Sequence, residues 1–329
     1  MHLLALIGLG MQAGPALAGD PTSWTLTSEN DSPWSLMWNQ PYRDEYYTNG
    51  IRLSRSQDLS DRPDGLLPSL AKAVGMEQAE QFQLAIAQTM YTPIQIWEPT
   101  VPDSVHPYAG HLFVSAGLSA SRPHLLASVE LLGGWTGPPA LGEPAQKQVH
   151  VMFDGYEPLG WHEQVQTEPT FGTHLSLAAH ELIPDGDPPI ELRAVPHLGL
   201  ALATTDVAAQ GGFTLGVGSR GDVPALRPEQ GRFGHSGIDT RLRGDSRMGV
   251  SAFAVLSWRA QLHDMFVEGG TFTEVPAPEP TAFIYEGSTG IRLRIFGTTL
   301  LMMNNIQFPT YKTQEREHRY GTMAISQEF

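Results

Sequence analysis

The sequence predicts an all-β protein, a transmembrane antiparallel β-barrel of about twelve strands. Three observations carry this. Segments of about ten residues repeatedly alternate apolar with polar or small side chains, the period of a strand with two different faces. In Ile291-Arg292-Leu293-Arg294-Ile295 the two arginines share one face and the aliphatic residues the other, which suits a lipid-facing wall around a polar lumen better than a soluble sandwich. Mean hydropathy is only −0.20, and no internal apolar run approaches the roughly 18 residues of a membrane helix, so any membrane crossing falls to strands.

In chain order, the first 18 residues hold no acid, Lys or Arg, carry an apolar stretch from Leu3 to Gly10 and end Ala16-Leu17-Ala18. They read as a signal peptide cleaved after Ala18, which leaves residues 19–329 as one barrel domain. The clearest strands are 81–87, 112–118, 213–218 and 291–295. Weaker ones lie near 23–29, 47–56, 124–134, 170–182, 190–203, 249–261, 300–308 and 319–329. The last of these finishes on Phe329, as the terminal strands of outer-membrane proteins do. With both termini periplasmic, connections after odd-numbered strands face outward, about 30–46, 90–109, 135–169, 204–211, 262–282 and 309–318. Two inward connections are long for periplasmic turns: 57–80, with its helix-like LPSLAKAVGM, and 222–248. Trp24, Tyr47, Trp135, Trp258 and Tyr320 fall near strand ends, where a girdle of interfacial aromatics sits.

Against 20 Lys and Arg stand 35 Asp and Glu, a net charge of −15 that repels phosphate backbones and argues against a nucleic-acid partner. The absence of cysteine removes disulfides, thiolate metal sites and a cysteine nucleophile. Gly216-Val217-Gly218-Ser219-Arg220-Gly221 matches G-x-G-x-x-G, but no amphipathic helix follows it, and neither G-x-S-x-G nor H-E-x-x-H occurs. An acidic, cysteine-free, exported chain suits the Gram-negative envelope.

Polar clusters gather on the outward side, where loops mounted on a rigid barrel carry chemistry. Glu29-Asn30-Asp31 ends the first strand and faces Tyr46-Tyr47-Thr48-Asn49-Gly50 at the start of the second. Next come Gln88-Thr89-Met90-Tyr91-Thr92-Pro93 and Pro107-Tyr108-Ala109-Gly110. The third cluster joins Gln146 and His150 to Gly160-Trp161-His162-Glu163-Gln164 and Glu168. In order and spacing these motifs, with Pro196-His197-Leu198-Gly199 and Glu268-Gly269-Gly270-Thr271-Phe272, resemble the LpxR-type outer-membrane lipid A 3'-O-deacylases over essentially the whole mature chain.

The resemblance implies a twelve-stranded barrel in the Gram-negative outer membrane, acting as a monomer on lipid A of lipopolysaccharide among the outer-membrane lipids. It implies a Ca²⁺-dependent ester hydrolase in which a histidine activates water and the metal polarises the ester carbonyl. Carried over by position, Asn30 and Asp31 fall at the calcium and active-site region, Thr48 at the strand-2 threonine and His150 at the general base. A glutamate a few residues beyond the histidine is matched most nearly by Glu157, and Gln146 and Tyr91 are the substrate-binding candidates. The residue chemistry agrees: calcium takes hard oxygen ligands, a bound cation stabilises a developing oxyanion, and a histidine near its ordinary pKa accepts a proton from water at neutral pH. The chain departs from the family in one respect, since its second outward loop holds neither Lys nor Arg. That departure favours a related esterase acting on another envelope lipid, and a non-catalytic barrel is the reading from a different class.

Overall fold

The structure, a computed structural model, describes residues 22–31, 44–153, 155–179, 190–219, 222–223 and 248–329. The expected signal segment 1–18, the middle of the first outward loop and most of 222–248 lie outside the described residues.

Twelve strands form a closed barrel. They are β1 (Thr22–Asn30), β2 (Tyr46–Asp58), β3 (Gln78–Thr92), β4 (Ala109–Arg122), β5 (Leu125–Thr136) and β6 (Pro169–Ala179), followed by β7 (Ile190–Ala203), β8 (Asp206–Ser219), β9 (Met248–Asp264), β10 (Phe283–Ile295), β11 (Thr298–Gln307) and β12 (His318–Glu328). Each pairs antiparallel with the next, and β1 closes on β12 with Ser23 opposite Glu328 and Asn30 opposite Gly321. Closure leaves no open edge, which a wall in hydrocarbon requires. The terminal Phe329 takes part, donating its N–H to the Thr22 carbonyl at 2.8 Å.

All twelve expected strands are present, most of them longer than their alternating cores. The expected outward loop 204–211 is corrected to the tight turn Thr204–Thr205, because β8 already begins at Asp206. The reason lies in composition: Asp206, Ala208 and Gln210 face inward as small or polar residues, so this stretch lacks the apolar contrast that marks a strand.

Alternation sorts the two faces as expected. Arg292 and Arg294 are buried while Ile291, Leu293 and Ile295 are exposed on the outside. Trp24 and Trp135 are exposed on the outer face, and Trp258 stacks on Phe283 with ring centroids 5.7 Å apart. The girdle expectation fails for Tyr47 and Tyr320. Both are buried inside, packed edge to face at 5.2 Å. A β-bulge explains the first, because the β2–β3 register steps over Thr48 and reverses the sidedness of what precedes it. Tyr320 simply shares the inward parity of Thr322 and Ala324, opposite Met323 and Ile325.

Ion pairs span the lumen at three levels. Arg259 donates to Asp206 at 2.6 Å near the end carrying the odd-strand connections, hereafter the loop end. Arg52 donates to Glu130 at 2.7 Å at mid-height. At the terminus end Arg294 binds Asp222 with two nearly parallel bonds of 2.7 and 2.9 Å, while Ser251 donates to the Asp222 carbonyl at 2.7 Å. Asp222 and Val223, the described part of the long inward segment, are thus tucked into the barrel mouth. The other long inward connection forms the expected helix, α1 (Leu66–Ala73), whose Ala71 packs against Leu59, Ala79 and Ala120.

Candidate active site

The loop end is built around a second helix, α2 (Gly142–Phe153), in the connection between β5 and β6. Its seat is made by small residues. A Cβ on Gly110 would stand 3.2 Å from the Gly142 nitrogen, and one on Gly142 would stand 2.6 Å from the Trp161 ring. Only glycine at both positions lets the helix backbone lie directly on β4. The indole of Trp161, 1% exposed, packs on Tyr108 with centroids 5.0 Å apart. Val165 donates its N–H to the Tyr108 carbonyl at 2.8 Å, and Leu159 donates to that of Ile96 at 2.9 Å. The P-Y-A-G and G-W motifs are therefore the anchors of α2.

Gln146 and His150, one helical turn apart, share the inward face of α2. The Trp161 indole N–H donates to Gln146 Oε1 at 2.7 Å, and Gln146 Nε2 donates to Asp44 Oδ2 at 3.2 Å. That same carboxylate oxygen lies 2.5 Å from His150 Nε2, and both side chains are nearly inaccessible, at 2% and 3%. The other ring nitrogen, Nδ1, meets the Tyr156 main-chain carbonyl. Burial alone would depress the His150 pKa, but the hydrogen bond and charge of Asp44, with the Tyr156 carbonyl, outweigh it and hold the imidazole above its ordinary value.

Asn30, Asp31 and Thr48 meet at the bulge. Asn30 Nδ2 donates to the Thr48 carbonyl at 3.1 Å, and Asn49 Nδ2 reciprocates on the Glu29 carbonyl at 3.0 Å. Thr48 and Thr92 share a hydroxyl hydrogen bond of 2.5 Å. Asp31 Oδ2 accepts the Glu45 N–H at 2.8 Å, and Arg316 donates to the Glu45 carboxylate at 2.5 Å. The dipeptide Asp44-Glu45 therefore ties the two groups together, with the Glu45 amide on Asp31 and the Asp44 side chain on His150. Glu29, first of the E-N-D motif, points inward to Tyr47 and Thr322 at 2.7 and 2.8 Å.

The remaining candidates stand apart from this arrangement. Tyr91 is buried in packing, stacked on Phe266 at 4.4 Å. Glu157 is exposed, and its charge is felt by Lys147. Sequence reasoning missed Asp44, although an acidic pair directly before the Y-Y-T-N-G strand start was the available signal. Glu168, a member of the third cluster that the sequence suits to ordering its loop, does so across two connections. That carboxylate accepts the main-chain N–H groups of Thr271, Phe272 and Thr273 at 3.0, 3.0 and 2.8 Å, pinning the β9–β10 connection to the β5–β6 connection. Gly269 and Gly270, at φ +85° and +136°, turn the chain so that the three donors converge. Desolvation works against the Glu168 charge, but these bonds and the Thr273 hydroxyl prevail and its pKa is lowered.

The donor set at the bulge is all oxygen: the Asp31 carboxylate, the Asn30 amide oxygen and main-chain carbonyls. Asn30 spends its nitrogen on Thr48, which leaves oxygen as the atom suited to a hard cation. Among the described residues no three His, Asp or Glu side chains form a cluster able to hold a metal alone. A Ca²⁺ ion fits this region with further oxygen ligands from main chain, water or substrate.

The profile of the family described as outer membrane protein LpxR matches residues 3–329. Among solved structures, LpxR from Salmonella typhimurium is similar with a TM-score of 0.75 and 16% sequence identity, covering 93% of this chain and 99% of that one. The β domain of the Bordetella autotransporter BrkA covers 94% of this chain and 99% of its own at 12% identity, with a TM-score of only 0.44. No curated protein matches by sequence. With the profile spanning nearly every residue and a closed twelve-stranded barrel beneath it, this chain belongs to the LpxR family of outer-membrane proteins.

Proposed function

We propose that this protein is a Ca²⁺-dependent lipid A deacylase, a carboxylic ester hydrolase that removes the 3'-O-linked acyloxyacyl chain of lipid A in the outer leaflet. The observation that carries the reading is the buried His150, fixed on the loop end of an outer-membrane barrel and linked through Asp44-Glu45 to Asn30 and Asp31. An ester buried at the membrane surface needs a nucleophile made from water and a stabiliser for the oxyanion. His150 takes the proton from water, and Gln146 and Trp161 hold the ring's surroundings in place. Asn30 and Asp31 would hold the cation, which when bound would supply positive charge to the ester carbonyl oxygen. Thr48, hydrogen-bonded to Thr92, fixes the bulge that aims Asn30 and the Thr48 carbonyl.

The loop end faces the cell exterior in this reading, and the net charge of −15 favours divalent cations over anions near the chain. One observation favours a second reading, an esterase for another envelope lipid: residues 93–108 contain no Lys or Arg to meet a lipid A phosphate. Purified protein in mixed micelles with lipopolysaccharide tests both. Release of the 3'-acyloxyacyl chain, abolished by chelation and restored by calcium, is the expected result. Intact lipid A with turnover of another envelope lipid supports the second reading instead.

A further inference from the structure

The hydrogen-bond roles around His150 fix how the ring works. The Tyr156 carbonyl can only accept, so Nδ1 carries a hydrogen in this arrangement. A carboxylate 2.5 Å from Nε2 likewise requires a hydrogen there, since two lone pairs at that distance would repel. The resting ring is therefore an imidazolium clamped on both sides, and it becomes a base only after one nitrogen is bared.

The two sides differ in what surrounds them. Nε2 meets the buried Asp44 carboxylate, which Gln146 also binds and Trp161 backs through Gln146. Nδ1 faces the 155–157 stretch, where the Tyr156 and Glu157 side chains are exposed. A charge-assisted bond to a buried carboxylate also outlasts one to a neutral carbonyl at the surface. Of the two bonds, the one at Nδ1 is therefore the first to yield.

We propose that Asp44 is the positioning residue of His150: it keeps the hydrogen on Nε2 and so makes Nδ1 the nitrogen that takes the proton from water when the Tyr156 carbonyl gives way. This rests on the deacylase reading above and assigns to Asp44 the carboxylate role that the sequence offered to Glu157. In the reactive form Nδ1 has lost its hydrogen. One O–H bond of water breaks, the proton passes to Nδ1, and the hydroxide oxygen bonds to the ester carbonyl carbon. Collapse of the tetrahedral species breaks the bond to the sugar oxygen, which recovers the proton from Nδ1, and no electrons change hands between redox states. The charge that bears on the ring is that of Asp44, with the Tyr156 carbonyl beside it, whereas Glu143 and Glu157 act on Lys147 of α2 and Tyr108 feels Asp44.

Purified wild type, Asp44→Asn, Asp44→Glu and Glu157→Ala, each shown to be a folded barrel by heat-modifiable migration, are compared on lipopolysaccharide across pH at low and high calcium. The expected loss for Asp44→Asn is about 10²-fold or more in kcat with KM little changed. Its acid limb moves to lower pH because the imidazole has lost its counter-charge. Asp44→Glu recovers part of the rate, and Glu157→Ala behaves as wild type. Activity of Asp44→Asn within about threefold of wild type, or restored by high calcium as for a metal ligand, overturns the proposal. A second arm needs no turnover: histidine ¹⁵N shifts of the wild type without substrate place the hydrogen of neutral His150 on Nε2. A neutral His150 carrying it on Nδ1 overturns the proposal whatever the activity, and an inactive wild type with the Nε2 form counts against the deacylase reading alone.

Discussion

The two ends of the barrel each bury an anion against a cation, and they do it with different chemistry. At the terminus end Arg294 grips Asp222 through two bonds, and Arg292 adds a third donor on the Asp222 carbonyl at 3.3 Å. Guanidinium keeps its charge at every relevant pH, so that contact is a permanent closure. At the loop end the cation opposite Asp44 is His150, whose charge can be lost and whose pKa the Asp44 bond holds above its ordinary value against the cost of burial. Carboxylates also crowd there, with Glu29, Asp31, Asp44 and Glu45 all buried within the end of β1 and the approach to β2. One end pairs its buried carboxylate with a permanent charge, the other with a charge that pH can remove.

The comparison breaks most sharply at His150. His150→Ala should lower deacylation by about 10²- to 10⁴-fold while leaving the folded barrel intact, as measured by chain release alongside thermal unfolding. Loss of folding with loss of activity would make this end merely structural.

Arg294→Ala should do the opposite. Removing one member of a buried pair costs about 3–5 kcal/mol, read as a lower urea midpoint, with the pH profile of deacylation unmoved. Replacing Asp222 and Arg294 together by Leu and Met should recover much of that loss, since the penalty comes from the stranded charge.

The pH response sharpens the contrast further. Because the folded His150 pKa lies above its ordinary 6.5, the stability from pairing the imidazolium charge with Asp44 is fully present below that value and is lost as pH rises through the raised one, while the Nε2 hydrogen bond to Asp44 stays. The same rise delivers the neutral imidazole, so deacylation should climb where the charge pairing is lost. Glu168 runs the other way. Its pKa is depressed, so its hold on Thr271 to Thr273 is present above the ordinary carboxylate value and fails as pH falls through the lowered one. Protection factors at those three amides should fall in acid and in Glu168→Gln at neutral pH. Glu157→Ala should be the smallest change, within about twofold of wild type in rate, because its side chain is in solvent.

Much of the fold was legible because alternation is a local property: Arg292 and Arg294 against Ile291 and Leu293 reveal both the strand and its inward face. Asp206 to Gln210 escaped because a lumen-facing polar strand looks like a loop, and Tyr47 because one inserted residue at Thr48 reverses parity. For the site, the sequence grouped Gln146 and His150 in one polar cluster of an outward loop, but a short helix inside a long loop gave no sign of itself, so their common face came only with the fold. Their partner Asp44 is 106 positions from His150 and no local pattern links them, since only the closing of β2 on β3 and the seating of α2 on Gly110 bring it there. Tyr156 contributes a main-chain carbonyl, which leaves no mark in side-chain identity.

The most direct measurement is the mass of lipid A from a Gram-negative host expressing either the wild type or His150→Ala. The account predicts that the wild type strips the 3'-acyloxyacyl mass and that His150→Ala leaves lipid A intact at equal levels of folded barrel. Lipid A unchanged by folded wild type with ample calcium, or stripped equally by His150→Ala, would contradict it.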